Sequence, residues 1–130
     1  MNNKLSKPDI TETEYEVLDV IWHDYPVTSS EVVKRLNQHK EWHDKTVKTL
    51  LGRLVKKQAL GFEKQQRQYL YHPLIAREDY NKKETTSFVS RLFNGKIAPM
   101  VAGFANHNSL SKEDIDELKE LIEQWEQDND

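Results

Sequence analysis

Residues 44–57 carry the side chains of this chain that are best suited to binding chemistry. At about 3.6 residues per turn, one face of the helix predicted here presents cations, a hydroxyl and a glycine without any acid, namely Lys45, Lys48, Thr49, Gly52, Arg53 and Lys56. Cations neutralise phosphates, and Arg, Lys and Thr can also bond to base edges. Glycine destabilises a helix by about 1 kcal/mol relative to alanine. Its presence on this face indicates that another molecule comes close to the helix backbone there. The pattern predicts DNA binding, and a solvated amphipathic helix is the alternative that this segment alone leaves open.

The opposite face of the same segment is an apolar stripe. It repeats at the spacing of a helix that packs on a core, through Val47, Leu50, Leu51, Leu54 and Val55. Asp44 precedes the stripe and is the predicted N-cap. We therefore expect one helix that is buried on one side and free to bind on the other.

Catalytic and metal-binding chemistry has little support in this sequence. There is no cysteine, which excludes disulfides, thiolate metal sites and a cysteine nucleophile. His39 and His43 are four residues apart, but Glu41 between them does not give the H-E-x-x-H spacing of a zinc site. Neither a glycine-rich phosphate loop nor a nucleophile elbow is present. We predict a protein that is not an enzyme and needs no metal or cofactor.

Charge is distributed unevenly along the chain. The formal net charge is −3, yet residues 34–72 hold ten Lys or Arg against three acids, and residues 109–130 hold two Lys against nine acids. This asymmetry favours a DNA-binding region and a separate partner region, although two solvated surfaces would also produce it. No apolar run approaches the roughly 20 residues that span a bilayer, and no signal-peptide core is visible. We expect a cytoplasmic protein without membrane insertion.

The elements that must position the basic face have clear start signals. Capping boxes are predicted where Thr11, Thr28 and Ser111 are each followed three residues later by an acid, and these predict helices over 12–24, 29–39 and 112–126. The first should bury Tyr15, Leu18, Ile21 and Trp22, and the second Val32, Val33 and Leu36.

A β-hairpin is predicted directly after the basic helix. Residues 60–64 and 67–72 alternate like strands, and Lys64 and Arg67 lie beside their connection. Two helices, a basic helix and a hairpin follow the order of a winged helix-turn-helix, in which the hairpin tip can reach phosphates. Protective charges at an ordinary sheet edge are the alternative interpretation of the tip.

Three amphipathic helices are predicted after Pro73. They cover 77–94, closed by Gly95, then a short helix with Pro99 in its first turn, then 112–126. Their apolar stripes are too small to close a core alone, so we expect them to be buried between two copies of the chain. The predicted dimer contacts are Phe88, Leu92, Phe93, Val101, Phe104, Leu118, Leu121, Ile122 and Trp125.

Several of these segments together resemble the penicillinase-repressor family (BlaI/MecI/CopY). The resemblance lies in TEYEVLDVIW at 13–22, VTSSEVV at 27–33, DKTVKTLLGRLVKK at 44–57 and YLY at 69–71, and it continues through FVSRLFNG at 88–95 and SKEDIDEL at 111–118. Members of that family are dimeric winged-helix repressors of palindromic operators. The resemblance thus implies a mainly α fold with a small hairpin, divided into a DNA-binding domain at 1–75 and a helical dimerisation domain at 76–130.

The resemblance also implies roles for individual residues. Lys45, Thr46, Lys48, Thr49 and Arg53 would face the major groove, and Lys64, Gln66 and Arg67 would form the wing. With the start of the second helix and the end of the third included, the predicted DNA-binding set also contains Thr28, Ser29, Ser30 and Lys56. The implied partners are a double-stranded DNA operator and a second copy of the chain.

Regulation differs between the branches of the family. In the antibiotic-responsive branch, a membrane sensor leads to proteolysis in the short C-terminal helix, and the matching bond here joins Gly103 to Phe104, with a regulatory protease as the implied partner. Gly103 stands where that branch has Asn. The copper-responsive branch uses a cysteine cluster, which this composition excludes. A protein-interaction adaptor that uses a winged helix without DNA is the alternative from another functional class.

Overall fold

The structure is a computed structural model that describes residues 9–129, so residues 1–8 of the predicted first domain and residue 130 of the second lie outside it. The described part contains six helices and one two-stranded antiparallel sheet, which confirms the predicted mainly helical fold with a hairpin. The elements are α1 Glu12–His23, α2 Ser29–Leu36, α3 Asp44–Lys56, β1 Leu60–Gln65, β2 Gln68–Pro73, α4 Arg77–Phe93, α5 Ile97–Asn106 and α6 Lys112–Asp128. Two compact units, Met1–Lys82 and Lys83–Asp130, divide the chain within α4.

The core of the first unit lies between α1, α2, α3 and the hairpin. Its fully buried side chains are Val17, Leu18, Ile21, Val32, Val47, Leu51, Leu54 and Leu60. The apolar stripe predicted for α3 is confirmed, since Leu50 is also buried and Val55 packs against the cluster. Burial of this stripe fixes which side of α3 remains exposed.

Burial along α1 and α2 differs from the prediction in part. Tyr15 and Trp22 are only partly buried, and Val17 and Glu14 take the buried positions in α1. The two aromatic rings instead lie at the edge of the core and contact each other with ring centroids 5.7 Å apart. Val33 of α2 is likewise only partly buried.

Two of the three predicted capping boxes are confirmed. Thr11 with Glu14 and Ser111 with Asp114 each make both reciprocal hydrogen bonds. At α2 the Thr28 hydroxyl accepts from the Glu31 N–H, but the predicted reciprocal bond from the Thr28 N–H to the Glu31 carboxylate is wrong. The Glu31 carboxylate instead pairs with Arg35 one turn later, with Nε and Oε2 3.1 Å apart, because an i, i+4 ion pair competes for the same oxygens.

The predicted start of α3 and end of α2 also need correction. Asp44 is the first helical residue rather than the N-cap, and the preceding His43 takes the cap position without a side-chain hydrogen bond. An acid in the first turn still favours the positive end of the helix dipole. Helix α2 ends at Leu36 instead of residue 39, because Asn37 starts the turn that leads to α3.

The hairpin closes over two residues, Gln66 and Arg67. Gln65 pairs with Gln68, and Gln66 adopts a left-handed φ of 56°. The base of the hairpin is anchored to the segment before α2, because the Val27 N–H donates to the Tyr71 carbonyl at 3.0 Å and the Tyr71 N–H donates back at 2.8 Å. The orientation of the wing relative to the start of α2 is therefore set by backbone hydrogen bonds.

The first turn of α4 is attached to α1 within the first unit. Arg77 Nη1 lies 2.6 Å from Asp19 Oδ1, and the Arg77 guanidinium lies 4.8 Å from the centroid of Trp22. The Trp22 indole N–H donates to the Ile75 carbonyl at 2.9 Å. This cluster fixes the start of a helix that continues into the second unit.

The second unit forms its predicted helices but leaves their apolar side chains exposed. Gly95 adopts a φ of 81° and its N–H donates to the Val89 carbonyl, which confirms the predicted end of α4. Val89 is the buried apolar side chain of this unit within its described residues, 83–129. The exposed ones include Phe88, Leu92, Phe104, Leu121, Ile122 and Trp125. Among residues 9–129, no helix is long and apolar enough to cross a bilayer.

A buried ion pair joins α1 to the end of α3. The Glu14 side chain is 1% exposed, and its Oε1 lies 2.6 Å from Lys57 Nζ. Burial tends to raise the pKa of Glu14, but hydrogen bonds from Lys57 and Thr11 and the Lys57 charge outweigh it and leave the pKa below its ordinary value. Because the folded pKa lies below the unfolded one, the pair stabilises the fold above that ordinary value, and this stabilisation is lost as the pH falls through the folded pKa.

We expect Glu14→Gln to lower the free energy of unfolding by about 1–3 kcal/mol at neutral pH, since a hydrogen bond to a charged partner is lost. The difference from the unchanged chain should shrink as the pH falls below 4.5, the ordinary pKa of the group. Urea denaturation at several pH values measures both effects. Glu12→Gln, at an exposed position two residues earlier, is the matched control. Equal losses for the two variants would contradict the role of the pair.

Candidate nucleic-acid interface

The basic side of α3 is exposed along its whole length. Lys45, Thr46, Lys48, Thr49, Arg53 and Lys56 are all exposed, whereas the opposite stripe lies in the core. A Cβ built at Gly52 would meet no atom within 4 Å. Packing within the chain therefore does not explain this glycine, which supports the predicted approach of another molecule to the helix backbone.

Charge pairing divides the cations of the first unit into two groups. Arg35, Lys40, Lys57 and Arg77 each form an ion pair with an acid. In contrast, no ion pair within residues 9–129 involves any of the cations predicted to bind DNA, which are Lys45, Lys48, Arg53, Lys56, Lys64 and Arg67. Six exposed cations without acidic partners on one helix and one hairpin form a surface suited to a polyanion.

The turn before α3 is held by a side chain that the sequence interpretation missed. The Asn37 side-chain amide donates to the Val33 carbonyl at 2.7 Å and to the Trp42 carbonyl at 3.3 Å, while its Oδ1 accepts from the Trp42 N–H at 2.9 Å. Asn37 thus closes α2 and positions the residue that leads into α3. The sequence prediction runs the helix to residue 39 and so places Asn37 inside it, although asparagine is a residue that often ends helices.

A groove of about 810 Å³ runs beside the first half of α3. Its lining includes four of the predicted DNA-binding residues, which are Lys45, Thr46, Thr49 and Arg53. Trp42 and Leu50 also line it, and neither was predicted to belong to the site. The Trp42 ring has Lys40 Nζ 5.1 Å from its centroid. The groove therefore combines cations at its rim with apolar surface.

A second groove, of about 410 Å³, lies between the start of α2 and the hairpin. It brings together five predicted residues that are distant in sequence, namely Thr28, Ser29, Ser30, Lys64 and Arg67. Gln68, Tyr69 and Tyr71 complete the lining and were not predicted. Burial, followed by the electrostatic effect of neighbouring Tyr69, raises the pKa of Tyr71 above its ordinary value.

Three predicted residues, Lys48, Lys56 and Gln66, lie outside both grooves. Lys48 and Lys56 are exposed on α3, and Gln66 is exposed in the hairpin turn. The hydroxyl of Thr28 is also engaged as the cap of α2. In the described part of the chain, no group of three or more His, Asp or Glu side chains is arranged to hold a metal ion.

Comparison with known proteins identifies relatives of this chain. Residues 10–124 match the family model described as "Penicillinase repressor". The penicillinase repressor of Bacillus licheniformis is 38% identical over 117 residues, which cover 90% of this chain and 91% of that protein. The penicillinase repressor of Staphylococcus aureus is 31% identical, with 88% and 90% covered. The solution structure of the DNA-binding domain of the repressor BlaI matches with a TM-score of 0.52 and 41% identity, over 56% of this chain and 89% of that one.

Proposed function

This chain belongs to the penicillinase-repressor family, and on that basis we propose that it is a sequence-specific DNA-binding transcriptional repressor. The observation that carries the proposal is the set of six exposed cations on α3 and the hairpin that have no acidic partner among residues 9–129. Exposed cations that are grouped on one helix and one hairpin create a local positive potential, which attracts a polyanion such as DNA. Its ligand would be double-stranded DNA, and its place of action the cytoplasm. We propose neither a catalytic role nor a cofactor.

The proposed docking follows from the exposed side of α3. This helix would enter the major groove, where Arg53 and Thr49 meet base edges and Lys48 meets phosphates. The second groove would lie over the sugar–phosphate backbone, with Lys64 and Arg67 of the wing on one side and the start of α2 on the other. The proposal includes the predicted boundary after residue 75, which separates the DNA-binding domain from the dimerisation domain.

We further propose that the second unit joins two copies of the chain. Leu121 is 66% exposed and Trp125 is 64% exposed, and both lie on the α6 face that also carries Ile122. Apolar side chains of this size rarely remain in water when they form a contiguous stripe. A symmetric dimer would bury the stripe and present two copies of α3 to the two halves of a palindrome.

Control by proteolysis in α5 is the third part of the proposal. The Gly103–Phe104 bond lies inside α5, and the Gly103 carbonyl is 2.8 Å from Nδ1 of His107. A protease that needs an extended substrate must first unwind this segment. Glycine inside the helix lowers that cost by about 1 kcal/mol relative to alanine, and α5 lacks a side-chain cap at its start. Cleavage there would separate α6 from the DNA-binding unit and weaken the dimer.

The first functional prediction concerns α3. Arg53→Ala and Lys48→Ala should each weaken operator binding, and loss of a base contact by Arg53 should cost about 1–3 kcal/mol. Operator DNA identified by genomic footprinting of the purified protein supplies the ligand for a gel-shift titration. Lys119→Ala, which removes one exposed charge from α6, is the control.

Two results would oppose this prediction. Unchanged affinity of a folded Arg53→Ala variant would show that α3 is wrongly oriented in the proposal. Phosphate contacts release counterions, so the affinity of a DNA-binding protein for duplex DNA should fall steeply as the salt concentration rises. If the unchanged protein shows no such binding to any duplex, the protein-interaction adaptor is favoured instead.

The second functional prediction concerns assembly. Leu121→Asp should shift the protein towards monomers, since a carboxylate would have to be buried in the dimer, while the fold of the single chain should persist because this side chain is exposed there. Sedimentation velocity at micromolar concentration measures the shift. Gln124→Asp adds the same charge at an exposed position off the apolar stripe and should leave the dimer intact. Equal behaviour of the two variants would argue against α6 as the contact.

The third functional prediction concerns induction. Immunoblots of cells treated with a cell-wall antibiotic should show a fragment that ends at Gly103 if the resemblance extends to regulation. Expression of target genes should be measured in the same samples. Full-length protein throughout, together with derepressed targets, would rule out cleavage and indicate a small ligand as the inducer.

A further inference from the structure

We infer that the groove beside the first half of α3 recognises the 5-methyl group of a thymine, with the γ-methyl of Thr49 as the contacting group. The inference rests on the proposed function and extends it, because it assigns a base preference to one side chain. Three observations carry it: the engagement of the Thr49 hydroxyl, the apolar lining of the groove, and the fixed position of Trp42.

The hydroxyl of Thr49 is already engaged by its own helix. Thr49 Oγ1 donates to the Lys45 carbonyl with 3.0 Å between the oxygens. A threonine hydroxyl has a single proton, so this bond leaves Thr49 no donor for a base. Because β-branched side chains have few χ1 choices in a helix, a hydroxyl directed at the preceding turn also fixes where the methyl lies. The side chain is exposed, so its methyl is open to contact by a ligand, while the hydroxyl oxygen can act towards that ligand as an acceptor but not as a donor.

The surroundings of Thr49 within the groove are apolar on one side. Leu50, which is almost entirely buried, and Trp42, which is partly buried, line the same groove as Thr49. The backbone of Trp42 is held by two hydrogen bonds: its N–H donates to Asn37 Oδ1, and its carbonyl accepts from the Asn37 side-chain amide. On this side of the groove the methyl, the isobutyl group and the indole favour an apolar ligand group, whereas the charged side chains of Asp44, Lys45 and Arg53 contribute to the rest of the lining.

Thymine is the one base that offers such a group in the major groove. Its C5-methyl is the apolar feature that the other three bases lack there, and a threonine methyl is a known type of partner for it. Arg53 lies one helical turn after Thr49 and lines the same groove. Thr49 and Arg53 would therefore contact neighbouring base pairs, with the methyl contact and the guanidinium contact fixing the register of α3 together.

A deoxyuridine scan of the operator tests this inference directly. Replacing thymine with deoxyuridine removes only the methyl and retains every base-pairing group. With the full-length protein, one thymine per half-site should show a loss of affinity of about threefold to fivefold on replacement, as expected for one buried methyl. Fluorescence anisotropy titration against each substituted duplex gives the ratio of affinities for thymine and deoxyuridine.

Variants of Thr49 assign the effect to the methyl. Thr49→Val keeps a methyl and loses the hydroxyl, so it should retain the thymine preference at that position. Thr49→Ser keeps the hydroxyl and loses the methyl, so its affinities for the two duplexes should become equal. Thr46→Ser makes the same chemical change at another exposed threonine of α3 and should retain the preference, whatever its absolute affinity.

The opposing results are distinct from those for the proposed function. Equal binding of every deoxyuridine duplex by the unchanged protein, or a thymine preference that survives in Thr49→Ser, would overturn the inference while operator binding itself stands. Loss of the preference in Thr49→Val would also overturn it, because the hydroxyl would then be the contacting group. Absence of salt-dependent binding to the unmodified operator would overturn the proposed function and this inference together.

Discussion

The burial of one side of α3 is the constraint on which the rest of the first unit depends. Val47, Leu51 and Leu54 are fully buried against α1, α2 and the hairpin. Side chains on the same face of a helix recur about every 3.6 residues, and the basic stripe lies on the face opposite the apolar one. Burial of the apolar stripe therefore leaves the basic stripe at the surface. The core therefore determines the direction of the candidate binding face without any interaction made by that face itself.

Both ends of α3 are supported by polar contacts. At its start, Asn37 bonds to the backbone of Trp42, and at its end Lys57 contacts the buried carboxylate of Glu14. A side chain that must meet a base edge tolerates little rotation of its helix, and support at both ends restricts such rotation. Lys57, which supports the end of the helix, is paired with an acid, whereas the cations on the exposed face of α3 form no ion pair within residues 9–129.

The second unit has a different balance of forces. Its helices are formed by local signals, including the Ser111 capping box and the left-handed Gly95, yet Leu121 and Trp125 stay exposed. Local hydrogen bonds can define where a helix begins and ends, but burial of its stripe needs a partner surface. Helix α4 belongs to both units, and Arg77 ties its first turn to α1. A dimer formed through this unit would be linked to the DNA-binding unit by a continuous helix.

The sequence by itself determined the element types, the two faces of α3 and the family, because periodicity and capping are encoded within a few residues of each other. The particular contacts that each side chain makes were decided by the tertiary structure. Glu31 bonds to Arg35 instead of returning to its cap, and Tyr15 remains at the edge of the core. Thr28 and Arg67 likewise line the same groove because the backbone of Val27 pairs with that of Tyr71. Such contacts join residues that are distant along the chain, so no local pattern specifies them, and only the folded core brings them together.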